Sequence, residues 1–211
     1  RTVGEVHSAE RRAGEFVLNY TIKAIETRYK GHLLRSQLEA TWAAFFDLCG
    51  WQWEYEPFTL NGWLPDFALI GKEKTILVEV KPVFSFPRDV AEKIDMAHGD
   101  DRDFHSMIVG CGLTKNCYDS IRCIGWIREF DHFGDDSGWD WGEMSLRLWN
   151  GKAGFFSTQG GWNDRISGEY DGNDESYASD LQGYEDDASY FHSLWGRAKE
   201  ATRYVHGRCS A

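Results

Sequence analysis

The chain has 211 residues, of which 34 are acidic and 23 basic, so its formal net charge is −11. A chain of this length can bury a substantial core without disulfides, and its five cysteines include no Cys-x-x-Cys pair, which speaks against a disulfide scaffold or a zinc ribbon. No apolar run approaches the ~18 residues that a membrane helix needs, and the charged N-terminus lacks a signal-peptide core. We therefore expect a cytoplasmic protein with no membrane partner.

The first predicted element is an amphipathic helix over His32–Gly50, with Gly50 as its C-terminal stop. Arg35 and Glu39 lie one turn apart on this helix, where an exposed ion pair contributes only ~0.3–0.5 kcal/mol. An aromatic strand over Trp51–Glu56 follows. The apolar stripe of the helix is formed by residues three or four positions apart: Leu34, Leu38, Trp42, Phe45 and Cys49.

Two strands are predicted next. Asn61-Gly62 is a strong hairpin signal, and Trp63–Ile70 then reads as a strand. Gly71–Lys74 supplies a polar turn before the β-rich segment Thr75–Lys81. Because Pro82 cannot donate to a ladder, the second strand is predicted to end there.

The second strand carries a carboxylate among apolar residues. Its alternation places Glu79 and Lys81 on one face with Leu77, and Ile76, Val78 and Val80 on the other. Burying a carboxylate is costly unless it is paired or bound to a cation. Mg²⁺ keeps several waters and takes only one or two protein carboxylates, a requirement that Asp66 and Glu79 meet.

Downstream segments predict a crossover. Phe86–Ala97 has helical periodicity after a proline, and Ser106–Gly112 and Ile121–Arg128 read as buried strands. A strand, helix, strand order indicates an α/β fold with a mixed sheet and helices on both faces.

The composition changes after residue 130. Glu143–Trp149 and Gly154–Gln159 flank Asn150-Gly151 as a predicted hairpin, Gly160–Asp187 is predicted to be loop, and Ala188–Val205 a terminal helix. We therefore divide the chain into a core over residues 1–130, with 1–15 extended, and an acidic hairpin, loop and helix region over 131–211, packed on the core.

The charge excess lies in that second region. Residues 131–187 carry 14 acidic and 3 basic residues, so the rest of the chain is electrically balanced. This segment is predicted not to touch DNA. Its open roles are a solvated surface, a gate that repels non-substrate DNA, or a surface for a basic protein partner.

The motifs Pro65-Asp66 and Glu79-Val80-Lys81 resemble those of the PD-(D/E)xK nuclease superfamily, which has a restriction-endonuclease-like core. An upstream helix with Arg-Ser-x-x-Glu, ending in Glu39, adds a third element. The order is similar to that of small phage-encoded nucleases and of the catalytic domains of transposon-end-cleaving enzymes. The resemblance covers roughly residues 30–112.

This resemblance implies a Mg²⁺-dependent deoxyribonuclease, which we expect to be an endonuclease in the cytoplasm, or in the host cytoplasm if it is phage-encoded. Asp66, Glu79 and the Val80 carbonyl would hold Mg²⁺, for which Mn²⁺ can substitute. Glu39 would serve a second ion or its water shell, and Lys81 would orient or help to deprotonate the attacking water. We expect Arg35 or Arg28 to contact a phosphate.

Other interpretations stay open. Glu39 can simply pair with Arg35, and Asp66 and Lys81 can be ordinary turn and strand-end residues. The protein can also be a catalytically silent nuclease fold or an acidic DNA mimic that inhibits a DNA-binding partner, or a nuclease directed at RNA or linked to repair. The sequence leaves the oligomeric state undetermined.

Overall fold

A computed structural model describes residues 24–72, 74–99, 103–115, 121–131, 138–149, 151–157, 166 and 184–203. The segment 1–15, expected to be extended, lies outside them. Nine strands and three helices are described: β1 Thr27–Tyr29, β2 His32–Leu34, α1 Gln37–Cys49, β3 Trp53–Tyr55, β4 Phe67–Ile70, β5 Thr75–Val80, α2 Arg88–His98, β6 Phe104–Lys115, β7 Ile121–Asp131, β8 Gly138–Trp149, β9 Lys152–Ser157 and α3 Tyr184–Ala201.

Strands β3 to β9 form one seven-stranded sheet in sequence order, and β1 and β2 form a separate hairpin. Neighbouring strands are antiparallel except β5 and β6, which are parallel and joined through α2. A parallel pair needs such a crossover connection. The predicted α/β class and mixed sheet are therefore confirmed.

Helices cover both faces of the sheet. On one face, α1 and α3 pack through Trp42, Phe45 and Phe191 onto a core that includes Ile76, Val78 and Val80, the apolar face predicted for β5. On the other face, α2 packs onto Ile108 and Trp126. The flanking helices and the face assignment in β5 are confirmed. Within the described residues, no helix is long and apolar enough to cross a membrane.

The predicted helix over His32–Gly50 is wrong at its start. His32–Leu34 forms β2, which pairs with β1 around a two-residue turn in which Lys30 and Gly31 both have positive φ. The helix begins only after Ser36, whose side chain caps it, and it ends at Gly50 in the left-handed conformation as predicted. The spacing of apolar residues does not show where the preceding hairpin ends and the helix begins.

The predicted strand over Trp63–Ile70 is also too long. Only Phe67–Ile70 joins the sheet, whereas Trp63 forms an isolated bridge with Leu60 across the Asn61-Gly62 turn. Pro65 lies between these pieces and has no N–H to donate, so the ladder cannot continue through it. Because the strand is interrupted here, the segment before Asp66 leaves the sheet, and its Trp63 contacts Glu79 near the end of β5.

The region after residue 130 continues the main sheet. Strand β7 spans the proposed boundary at residue 130, and β8 and β9 extend the sheet as a hairpin, so that hairpin is confirmed. The loop prediction for Gly160–Asp187 is wrong at its end, because α3 begins at Tyr184. Most of that loop lies outside the described residues. The division into two units stays a prediction.

Candidate functional site

Asp66 and Glu79 meet at the end of adjacent antiparallel strands. Phe67 pairs with Val78, so continuing the register by one residue places Asp66 opposite Glu79. Side chains opposite each other in an antiparallel pair lie close together on one face. Both are buried, Asp66 being 3% and Glu79 9% exposed. The fold therefore brings together the two carboxylates that the sequence singled out.

Asp66 is held from two sides. The backbone N–H of Val80 donates to its Oδ2 at 2.7 Å, and the Arg35 guanidinium forms an ion pair with its Oδ1. Burial and the neighbouring Glu79 carboxylate raise the pKa of Asp66 to about 7, although the Val80 N–H and Arg35 favour its ionised form. Two neighbouring buried carboxylates oppose each other's ionisation, and positive charge close to them favours the ionised forms.

Glu79 is fixed by two different side chains. The Trp63 indole Nε1–H donates to Oε2 at 2.8 Å, and Lys81 Nζ lies 2.5 Å from Oε1. Lys81 follows the last residue of β5, and its backbone N–H donates to Val109 O at 2.9 Å. Glu79 and Lys81 are thus oriented together by the end of β5 and its bond to β6.

Arg35 lies among three carboxylates. Besides Asp66, its Nε lies 3.1 Å from Glu56 Oε1 and 3.9 Å from Glu39 Oε2. Burial works against the charged guanidinium, but the carboxylates around it raise the pKa of Arg35. Its side chain remains about half exposed. The predicted pairing with Glu39 is therefore the longest of three ion pairs that Arg35 makes.

Glu39 is integrated into the N-terminus of α1. Ser36 Oγ accepts a bond from the Glu39 N–H at 3.1 Å and donates to Glu39 Oε1 at 2.9 Å. The other oxygen, Oε2, accepts from the Arg35 N–H at 3.1 Å and from the Tyr55 hydroxyl at 2.9 Å. This is a variant of the capping box, in which a Ser and a Glu three residues later satisfy the first helical turn.

The donor chemistry suits a hard divalent cation. No group of three or more His, Cys, Asp or Glu side chains that could hold a metal ion occurs in the part of the chain that the structure describes, so Asp66 and Glu79 stand as a pair. Mg²⁺ is commonly bound by one or two carboxylates and otherwise by water. Arg35 and Lys81 already place one cationic group on each carboxylate. Asp66 and Glu79, the two predicted carboxylate ligands, lie together, while the Val80 carbonyl and Glu39 as ligands stay predictions.

The two predicted phosphate contacts lie in different places. Arg35 lies at the carboxylates, whereas Arg28 is exposed on β1, opposite Leu33 of β2. Of the two, Arg35 is the one that the fold brings to Asp66.

Sequence reasoning missed Trp63 and Tyr55 as partners of the site and Ser36 as a helix cap. The Ser36-x-x-Glu39 spacing is itself a capping-box signature and could have shown the helix start. The bond from Trp63 to Glu79 had no sequence signal, because it depends on the break at Pro65.

Comparisons with protein-family models, curated proteins and solved structures found no match to this chain.

Proposed function

We propose that this chain is a Mg²⁺-dependent deoxyribonuclease with a restriction-endonuclease-like core of the PD-(D/E)xK kind. One observation carries the proposal: Asp66 lies opposite Glu79 at the sheet end, and Lys81 Nζ lies 2.5 Å from Glu79. The antiparallel β3, β4 and β5, followed by the crossover through α2 to the parallel strand β6, support the same class.

Asp66, Glu79 and the Val80 carbonyl would hold the metal. When bound, Mg²⁺ lowers the pKa of a coordinated water and stabilises negative charge on the reacting phosphate. Trp63 and Lys81 fix the two oxygens of Glu79, which sets the orientation of that carboxylate. Lys81 also orients the attacking water from its place beside Glu79.

Arg35 is positioned to exchange partners. Its half-exposed guanidinium forms an ion pair with Asp66. Arg35 would contact a phosphate oxygen of the substrate, since guanidinium groups bind phosphate through two parallel hydrogen bonds. Glu39 would serve a second ion or its water shell from its place at the N-terminus of α1.

A cleavage panel tests the proposal. Supercoiled, linear and branched DNA and single-stranded RNA are incubated with the protein in Mg²⁺, Mn²⁺ or EDTA. We expect the protein to cleave DNA, closed circles included, only when a divalent metal is present. Cleavage should be lost in Asp66→Ala and Lys81→Ala. It should be retained in the exposed controls Asp140→Ala and Lys93→Ala. Cleavage that persists in EDTA, or cleavage of no substrate, would overturn it. Cleavage of RNA alone would assign the same centre to a ribonuclease.

A second candidate is a catalytically silent nuclease fold that binds a protein partner. It is favoured by the Arg35 guanidinium on Asp66, where it already neutralises one carboxylate, and by the acidic excess in residues 131–187. Such a protein would bind no divalent ion and cleave nothing, and the basic partner would bind the acidic segment. The same panel, with calorimetry, separates the two candidates.

A further inference from the structure

A groove of about 520 Å³ lies between α1, β6 and α3. Its lining comes from these three elements and from the residues just after α3, and it includes Gln37, Thr41, Cys111, Trp195, Lys199 and Arg203. The turn that follows α3 is fastened to the start of α1, because Gln37 Nε2 donates to Thr202 O at 3.2 Å and the Thr41 and Thr202 hydroxyls are 2.9 Å apart. The groove is therefore built on packed helices.

Two segments of the chain link the groove to the carboxylate pair. Along the strand side, the Lys81 carbonyl accepts from the Val83 N–H, and the Val83 carbonyl accepts from the N–H of Cys111 at 2.9 Å. Along the helix side, Gln37 lies between Arg35 and Glu39 in the chain. Two separate segments thus connect the walls of the groove to the candidate site within a few residues.

Lys199 and Arg203 give the groove two cations. Lys199 lies in the last turn of α3, Arg203 lies two residues past its end at Ala201, and both side chains are exposed and line the groove. Glu200 also lines the groove and lies 3.7 Å from Arg203, but both side chains are about three-quarters exposed, and exposed pairs of this kind contribute little. The weak ion pair with Glu200 therefore leaves Arg203 able to bind another anion.

We propose that this groove binds the sugar-phosphate backbone of the DNA strand cut at Asp66 and Glu79, with Lys199 and Arg203 contacting phosphates. The inference rests on the proposed nuclease function and adds the path of the substrate. Basic side chains that neutralise phosphates supply most of the sequence-independent affinity for DNA. It also explains how a chain of net charge −11 holds a polyanion, because the contact is local.

The test measures binding of a short fluorescent DNA duplex and of its single strands by anisotropy in EDTA, over a series of salt concentrations. The variant is Lys199→Gln/Arg203→Gln, and the matched control is Lys93→Gln/Arg197→Gln. The control removes the same charge from exposed positions outside the groove, one of them on α3 itself. Thermal unfolding of each variant is recorded because cations in a last helical turn also stabilise the helix.

We expect the groove variant to bind more weakly and to lower the slope of log affinity against log salt by about two, one per lost phosphate contact. The control keeps the wild-type slope, and Glu200→Gln binds more tightly. Equal salt slopes in the groove variant and the control, or no DNA binding by the wild type, would contradict the proposal that the groove binds DNA. If the protein cleaves DNA with metal but the groove variant binds DNA like the wild type, the proposed role of the groove is overturned and the nuclease function stands. If binding depends on the groove but no DNA is cleaved, the nuclease function is overturned and the DNA-binding role of the groove stands.

Discussion

The indole N–H of Trp63 donates a 2.8 Å hydrogen bond to Oε2 of Glu79, although Trp63 lies outside the sheet and Glu79 near the end of β5. The bond leaves the other oxygen, Oε1, to Lys81. Two side chains from different segments thus define the direction in which the Glu79 carboxylate points.

Trp63→Phe removes that donor and keeps an aromatic ring. We expect metal affinity and cleavage to fall ~10–100-fold, the effect typical of losing a hydrogen bond behind a metal ligand. The matched control is Trp53→Phe in β3, whose ring packs on Phe67 and His32. Calorimetry with Mg²⁺ and cleavage rates measure the effect. Equal losses in both variants would mean that Trp63 acts through packing alone.

Asp66 gives metal-free stability a pH dependence. Its folded pKa of about 7 lies above its ordinary value of 3.8, so the folded state holds the proton more tightly. The stabilisation is complete below the ordinary value and is lost as pH rises through about 7, with a slope of up to ~1.4 kcal/mol per pH unit.

Chemical unfolding in EDTA at several pH values checks this expectation against Asp66→Asn, which carries no proton to release. Wild type should lose stability relative to the variant as pH rises from 4 to 7, and Mg²⁺ should reduce the loss, because a bound cation favours the ionised carboxylate. A difference between the two proteins that does not change with pH would contradict the assigned environment of Asp66.

Much of the site's framework was readable from local sequence, but its contacts were not. The strand Thr75–Val80, its apolar face and the turn at Asn61-Gly62 follow from β-branched residues, alternation and turn chemistry, all of which act over a few residues. The ion pair of Arg35 with Asp66 joins residues 31 positions apart, so it depends on how α1 docks on the sheet.

The same limit applies to the C-terminal region. The sequence predicts that its two strands form a hairpin. A strand pattern alone does not show which sheet edge such a hairpin joins. Pairing of β8 with β7 made them part of the main sheet. The ion pair of the buried Arg128 with the partly exposed Asp95, at 2.7 Å, likewise joins β7 to α2 without a sequence signal.

Gly110 allows the segment after Lys81 to lie against β6. A Cβ at this position would come within 2.4 Å of the Val83 carbonyl oxygen, a backbone atom that cannot yield easily. We expect Gly110→Ala to displace that segment, to cost about 1–3 kcal/mol of stability and to lower cleavage.

The control for Gly110→Ala is Gly196→Ala. Gly196 lies inside α3 with open space around an added Cβ, so the change should stabilise the protein by roughly 0.5–1 kcal/mol. Thermal unfolding of the two variants is compared, and cleavage by Gly110→Ala is measured against the wild type. Unfolding of Gly110→Ala at the wild-type temperature would contradict the close approach of the two segments.

Glu39 has a structural role and a predicted catalytic one, and a single substitution separates them. Glutamine also serves in capping boxes, so Glu39→Gln should change stability by less than about 1 kcal/mol. We expect its cleavage rate to fall at least about tenfold, because the amide is a poorer partner for a metal or its waters.

Ser36→Ala provides the opposite case. It removes the cap of α1 and should cost about 1 kcal/mol of stability, with a smaller effect on cleavage. Stability comes from chemical unfolding and rates from cleavage of circular DNA. A Glu39→Gln variant with the wild-type rate would leave Glu39 with helix capping as its role.

The central claim is that Asp66 and Glu79 together bind a divalent cation, and isothermal calorimetry with Mg²⁺ and Mn²⁺ tests it most directly. The wild type should bind the ion, with affinity strongly reduced in Asp66→Asn and in Glu79→Gln and unchanged in Asp140→Asn, an exposed control. Undetectable binding by the wild type, or binding that survives both substitutions, would contradict the account.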